Sequence, residues 1–428
     1  MSNSASPSIY EILKLTKLDK VVRLDGKTVS FDYYESLRSP NITARIAFVD
    51  VGGSTNYNTD YDPQGDKNLG TIYSALPLTA DGSEKVNFKI SSKLGSLDFS
   101  EVPLIVNNSV NLDQESQRES VFLSLVSQSA IKNKESRVKR NYSGSTSNNQ
   151  SVTLIAKEIL NLQKIDIEET SNKYSFIGNN MTPFEVIMNL AKKSVPLNNG
   201  NPGFFFYETR DGHFFRSIDT LLKQPSVQIY YKTAVTKSSI NVDNDFKISS
   251  FSVNKNQNLI NAIAAGVYSS RRVLFNPNTF KLEETPFVLD EKTLSNSLGN
   301  KIIPTPENKD YARVFYDVKD VGTLSSQVAK GNAVSDPNEW QGVVQMRYNL
   351  LMSQVVTMQV PCNPKLKAGD VVECNIEKIT LSNKNGQPFD PVESGRYLIL
   401  DLCHHYDTER SFTSMTLVRD TYGLYKGN

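Results

Sequence analysis

The stretch Pro202–Ile218, PGFFFYETRDGHFFRSI, constrains the fold more than any other part of the chain. Seven of its residues carry aromatic rings: five Phe, Tyr207 and His213. An Asp211-Gly212 pair separates two hydrophobic runs, and Asp-Gly tolerates the positive φ angles of a tight turn, so the stretch reads as one β-hairpin. With that pair as the two-residue turn, Arg210 opposes His213, Thr209 opposes Phe214, Glu208 opposes Phe215 and Tyr207 opposes Arg216. Strand alternation then places Phe205, Tyr207, Phe214, Arg216 and Ile218 on one face, and Phe204, Phe206, Glu208 and Phe215 on the other. Both faces are too apolar to leave in water, so each must be covered by another part of the chain. A core hairpin accounts for this composition better than an exposed ligand platform.

Strand signals dominate the first hundred residues. Val21–Leu24, an Asp25-Gly26 turn and Thr28–Tyr34 read as a hairpin, and Thr43–Val51 as a further strand. A polar loop, Gly52–Gly70, precedes two more strands, Ile72–Leu78 and Glu84–Ile90, on either side of Asp81-Gly82. Short strands at this spacing suggest a barrel or sandwich.

Helical signals enter near residue 120. Ser120–Val126 alternates as a strand, and Ser127 can cap a short helix running toward Lys134. Lys132–Arg140 holds five basic residues beside the polar tract NYSGSTSNNQS, a pattern that is usually a solvated loop. Val152–Leu162 has near-helical apolar spacing. Thr182-Pro183-Phe184-Glu185 is a capping box with proline in the first turn, followed by the apolar stripe Phe184, Ile187, Met188 and Ala191.

Beyond Val227 strands return. Lys247–Asn254 and a long strand Ala262–Leu274 are expected, the latter ending at Asn276-Pro277-Asn278. Thr293–Glu339 is polar and without period, and Val343–Met352 reads as a short helix with Arg347 on its polar side. VVTMQV, GDVVECNI, GRYLILDL and SFTSMTLV read as four closing strands between Val355 and Val418. A faint echo links Leu76-Pro77 before Gly82 and Val86 with Val360-Pro361 before Gly369 and Val372.

Chemistry is sparse. At 428 residues the chain has room for two to four domains, at about 150 residues each. Its 47 Lys and Arg nearly balance 46 Asp and Glu, so the net charge of +1 gives no support for coating nucleic acid or membrane. Cys362, Cys374 and Cys403 lack pair spacing, which fits buried thiols in a reducing compartment. Neither an N-terminal signal pattern nor a run of about 18 apolar residues occurs, so export by a standard signal and stable membrane insertion are not expected. His404 and His405 point to opposite faces of a strand, with Cys403 beside His405, and two ligands do not make a metal site. The sequence holds no Gly-x-Ser-x-Gly elbow and no phosphate-binding Gly-rich loop. With 46 acidic residues, counting does not test for a carboxylate pair for glycoside cleavage, but the single Trp340 lies in a polar stretch rather than on a sugar platform. No catalytic residue, cofactor or metal is therefore assigned, and a structural protein is expected.

Taken in order, several segments resemble the baseplate central hub (tail hub) proteins of contractile-tailed bacteriophages, most like the T-even type. They are SVFLSLVSQSAIKN from Ser120, the helix near Val152, FFFYETRDGHFFRS from Phe204, AAGVYSSRRVLFNPNTFKLEE from Ala264, LKAGDVVECNI from Leu366 and SGRYLILDLCHHYD with SFTSMTLVRDTYG from Ser394. One departure is Cys362-Asn363, where the pattern expects a glycine turn.

The resemblance implies an α+β, mainly β fold with two tail-tube-like β-barrels and an intervening α+β domain. The expected boundaries are 1–115 for the first barrel, 116–225 for the α+β domain with the hairpin, and 226–428 for the second barrel with a polar insertion near 285–345. It implies a non-enzymatic homotrimer in the virion tail, assembled in the host cytoplasm. Six similar barrels would join a hexameric tail tube or tube-initiator protein to a trimeric spike. Baseplate wedge proteins would contact the hub, and DNA would pass through the lumen without specific binding. The same physics would serve a phage-like injection or secretion machine, and a tail-associated cell-wall glycosidase is the enzyme alternative. In this setting Phe204, Phe206, Tyr207, Glu208, Asp211, Gly212, Phe215 and Arg216 form a structural hairpin, with Tyr207 and Arg216 paired by cation–π or hydrogen-bond contact.

Overall fold

The computed structural model describes residues 8–421, apart from 19, 52–71, 73–75, 77, 116–117, 143, 145, 199, 234–242, 255–258, 278, 291–297, 300–312, 320–337 and 379–388. Strands that alternate inward apolar and outward polar residues pair into one long ladder, and the fold is α+β, mainly β. From one end the ladder runs Ser250–Asn254, Gln354–Pro361, Ser411–Arg419, Gly395–Asp407, Thr28–Ser36, Thr43–Val51, Arg118–Val126, Gly95–Glu115, Glu84–Ser92, Ile9–Lys17 and Lys20–Arg23. Val371–Ile376 pairs with Gly395–Asp407 and carries Ser226–Lys232 in parallel on its other side. Strands expected in two barrels thus form one continuous ladder among the described residues.

The seam between the two ends of the sequence is antiparallel pairing from Asp401 opposite Ser36 to Asp407 opposite Ser30. Side chains reinforce it: Ser36 Oγ and Arg38 donate to Asp401 at 2.6 and 2.5 Å, and His405 Nδ1 lies 2.5 Å from Asp32. Each half buries its own core. Leu13, Phe31, Ile46, Phe48, Phe88 and Leu123 fill the first, and Tyr230, Val356, Met358, Tyr397 and Leu417 the second. At about 1.5–3 kcal/mol per buried large side chain, each core far outweighs the surface ion pairs.

Between them lies a helical layer. Thr182 caps Pro183–Lys193 through the expected box, its amide donating to Glu185 at 2.9 Å, and Phe184, Val186, Ile187, Leu190 and Ala191 are buried. The Val152–Leu162 expectation resolves into the helix Asn148–Leu154 followed by a π-helical turn, Ile155–Ile159.

Several expectations are corrected. The Asp25-Gly26 turn exists, with the Lys27 and Thr28 amides bonded to the Leu24 carbonyl, but Lys20–Arg23 pairs with Ile9–Lys17 and not with Thr28–Ser36. Within the expected strand Ile72–Leu78, the Leu76 amide bonds to the Ile72 carbonyl, a helical link, and much of that stretch and the whole Gly52–Gly70 loop lie outside the described residues. Ala262–Leu274 is not one strand: a short helix Leu259–Ala264 precedes strand Ser269–Asn276, with Gly266 at φ +74° in the connection. Most of Thr293–Glu339 falls outside the described residues, although Val314–Val318 forms a strand beside Ser269–Asn276.

Arg347 is the largest departure from the sequence reading. Helix Gln341–Leu351 forms, but Arg347 is buried rather than solvent-facing. Its guanidinium donates to Asp219 at 2.7 Å and to the carbonyls of Asn201 and Pro202 at 3.0 and 2.7 Å, so this helix is pinned to the start of the aromatic hairpin. A buried pair of this kind costs desolvation to form, yet removing one partner strands the other charge. Arg347→Met is therefore expected to destabilise the fold by about 3–5 kcal/mol in urea unfolding, and the double change with Asp219→Leu to recover most of that loss.

Candidate functional site

The hairpin forms as strands Phe204–Thr209 and Gly212–Ser217, but its register differs from the sequence reading by two residues. Phe206 opposes Phe215, Tyr207 opposes Phe214, Glu208 opposes His213 and Thr209 opposes Gly212, so the turn is Arg210-Asp211. Neither turn residue has positive φ; only Gly212 does, at +129°. A side chain at Gly212 would meet the Lys164 carbonyl at 2.6 Å, where the incoming strand Ile165–Ile167 pairs in parallel with the hairpin. Close backbone approach, rather than an Asp-Gly turn, explains the glycine. A shift of two keeps every side chain on its expected face while changing every partner.

Tyr207 and Arg216 are therefore not opposite one another. Tyr207 stacks on Phe214 with centroids 5.4 Å apart, while Arg216 lies 4.6 Å over the Phe214 ring and bonds Asp166 at 2.5 Å. The two faces enter different cores. Phe204, Phe206 and Phe215 pack with Val152, Phe184 and Ile187 of the helical layer, with Phe204 and Phe215 stacked at 4.7 Å. Tyr207, with Phe205 and Phe214, packs against Ile218 and Leu221 of the helix Ile218–Lys223 that follows the hairpin, and against Leu37 from one half of the ladder and Val371, Leu398 and Val418 from the other.

The tip carries the polar part of this junction. Glu35, in phase with Phe31 and Tyr33 on the inner face of its strand, accepts from Tyr33 Oη at 2.8 Å and from the amides of Arg210 and Ala368, both at 2.9 Å. Glu208 Oε2 accepts from the Ile42 amide at 2.9 Å and from Ser127 Oγ at 2.6 Å. Ser127 thus spends its hydroxyl on Glu208 and makes no side-chain cap for Gln128–Glu135, although it occupies the cap position. The Arg210 guanidinium donates to the carbonyls of Pro364 and Lys365, and Lys367 bonds Asp211 at 2.7 Å. One turn therefore ties together backbone near residues 35–42, 127 and 364–368.

Burial dominates the electrostatics. It raises both Glu35 and Glu208 to about 7, against the lowering effect of their hydrogen bonds. It lowers His213 to about 4, so that imidazole is neutral. His404, the other fully buried imidazole, is lowered by burial to about 3 and sits 2.9 Å from Thr413 Oγ1. Cys403 and His405 do share a face, both against Asp32 at 3.9 and 2.5 Å, and the Asp32 hydrogen bond raises His405. At the Cys362-Asn363 departure, Asn363 replaces a glycine turn with side-chain bonds to the Lys365 amide and the Tyr230 hydroxyl, at 3.2 and 3.0 Å.

Of this junction, sequence reasoning named Glu208, Asp211 and Gly212 but passed over Glu35, Ser127, Arg210 and His213 as participants. Glu35 had a local signal, a carboxylate at an inward position of an alternating strand. Arg210 had none, because its acceptors are carbonyls more than 150 residues away.

The two raised carboxyls give a defined pH response. Each is protonated in the fold at a pH where the unfolded chain has lost its proton, so its stabilisation is full below about pH 4.5 and is lost as pH rises through about 7. His213 and His404 oppose this, since their lowered values give stability above about pH 6.5 that is lost as pH falls toward 4. Wild-type stability should then be nearly flat over mildly acidic pH. The stability of wild type minus that of Glu208→Gln should fall by about 3 kcal/mol between about pH 4.5 and pH 8 in urea titrations, and a constant difference would refute the assignment.

No family model and no curated protein sequence matches the chain. Solved structures do. The tail protein from Neisseria meningitidis MC58 is 11% identical, with TM-score 0.53 over 98% of this chain and 98% of that one. The 43 kDa tail protein of prophage MuSo2 from Shewanella oneidensis is 10% identical, with TM-score 0.51 over 96% of this chain and 98% of that one. Both of these solved structures are tail proteins, and the chain shares their fold over 98% and 96% of its length.

Proposed function

We propose that the chain is the structural hub of a contractile-tail baseplate. In this reading three copies form a ring that adapts a hexameric tail tube, or its initiator, to a trimeric cell-puncturing spike. Residues 1–115 and 226–428 supply two tube-like barrels, and 116–225 the layer that joins them. The observation that carries the reading is the fold shared over nearly the whole length of two tail proteins, one of them from a prophage. A rigid seam between residues 28–36 and 395–407 supports it further, because a threefold object can match a sixfold one only if duplicated units keep a fixed spacing. The hairpin Phe204, Phe206, Tyr207, Glu208, Asp211, Gly212, Phe215 and Arg216 acts as the anchor that holds this spacing.

Wedge proteins surround the hub, DNA crosses its lumen without specific contacts, and the ring is assembled in the host cytoplasm before it enters the virion. The protein works through large obligate interfaces and performs no catalysis. Light scattering on the purified chain, alone and with its spike, together with electron microscopy of the particle, tests this. A trimer at the tube–spike boundary is the expected result; a monomer that stays monomeric with the spike and cleaves cell wall would overturn it.

A further inference from the structure

Strands Lys281–Val288, Ser269–Asn276 and Val314–Val318 form a small sheet with one covered face and one open face. Helix Gln341–Leu351 lies on the covered face, where a Cβ at Gly342 would run into Phe287 and Ser270. Beside Leu274, Phe287 and Phe315, that face carries Ser270, Arg272, Thr285 and Asp317. The open face is the more apolar of the two. Leu282, Phe275 and Val318 form one row across the strands, and Glu284, Val273 and Tyr316 the next, with Val288 and Val314 beyond. A sheet with one wet face ordinarily turns its polar residues to water, and here the order is reversed.

Phe280 is 82% exposed, Tyr316 80%, Leu282 66% and Val318 59%. Phe280 sits at the tip of the hairpin, edge-on to Phe275 with ring centroids 6.2 Å apart, and extends the apolar row. It holds φ at +56°, which glycine or asparagine would hold at lower cost, so local backbone preference does not explain an aromatic residue there. Together with Val288 and Val314, these side chains leave roughly 700 Å² open, at about 200 Å² for a whole large side chain. That exceeds the roughly 300–600 Å² of the largest patch on a typical monomer and comes near the roughly 800 Å² that each partner gives to a stable interface.

The strand edge beside the face is a poor template for pairing. The Arg271 amide donates to the Arg313 carbonyl, so Pro286, opposite Arg271, turns its nitrogen to the outer edge and offers no donor there. A partner therefore meets the face and not the edge. The charged side chains on the face are Arg271 and Glu284, which pair at 2.9 Å. A two-fold axis through the face sets Arg271 of each copy beside Glu284 of the other, so the face is complementary to itself in charge as well as in apolar character. We propose that this face packs against the same face of a second copy of the chain. An isologous contact of this kind closes at two copies, so it is separate from the contacts of a three-copy ring and does not rest on that reading. It pairs subunits through a surface that water solvates poorly.

Sedimentation velocity on the full chain between about 1 and 100 µM tests the pairing. The wild-type chain should form a dimer in the micromolar range, or a hexamer where three-copy rings form as well. Leu282→Glu or Tyr316→Glu, each burying an unpaired carboxylate in the contact, should weaken the pairing at least about tenfold. Thr285→Glu, exposed on the same strand but on the other face, should leave association unchanged. Urea midpoints check that each variant folds; should one fail, Phe280→Ser at the tip supplies the same comparison. A wild-type chain that stays monomeric overturns the proposal. So does association that Leu282→Glu and Tyr316→Glu leave unchanged while the urea midpoint falls, the sign that the chain's own residues cover the face. Unchanged association with an unchanged midpoint overturns it equally. A trimer with no even-numbered species would end the face-to-face pairing and leave the ring reading standing, whereas a face-dependent dimer upholds the pairing whatever becomes of the ring.

Discussion

The structure depends on one polar turn in an apolar setting. Arg210 and Asp211 sit where the two halves of the ladder and the helical layer meet, and the hydrogen bonds of Glu35, Glu208 and Arg210 satisfy backbone groups that this convergence would otherwise leave unpaired. The acceptors and donors belong to segments near residues 35–42, 127, 210 and 364–368, none of which could be satisfied within its own element. Without such cross-links, three packed layers would each present orphan amides or carbonyls to the others.

The aromatic faces of the same hairpin make the junction apolar enough for those bonds to matter. Phe204, Phe206 and Phe215 belong to the helical layer's core, and Tyr207, Phe205 and Phe214 to the core shared by both halves. The hairpin is thus a partition with a core on either side, which is why no face of it is wet. Burial then sets the chemistry: two carboxyls raised to about 7 and two neutral imidazoles, all within a site with no catalytic assignment. Perturbed ionisation often marks active sites, but a convergence of packed layers produces it equally well.

Arg347 illustrates the same economy of long-range pairing. Its helix was legible from apolar spacing, yet a guanidinium on that helix was bound to be read as solvent-facing. Only the approach of Asp219 and the carbonyls of Asn201 and Pro202 makes burial tolerable there.

By itself the sequence determined the alternating strands, the capping box at Thr182–Glu185, the two apolar faces of the aromatic hairpin and the order of segments that resembles tail hubs. These are properties of local period and local hydrogen bonding, which neighbours in sequence suffice to define. Tertiary structure decided the rest. The Asp25-Gly26 turn was legible, but not that its strands pair elsewhere, and the aromatic faces were legible, but not the register, because a slip of two residues preserves faces. Glu35 carried a local signal that the sequence reading passed over, a carboxylate at an inward strand position, whereas its pairing with Arg210 and Ala368 left no local signal at all. The Pro202–Ile218 stretch needed cover on both sides whatever the fold; which cores supply it follows from contacts that join residues from tens to more than two hundred positions apart, and no local pattern encodes those.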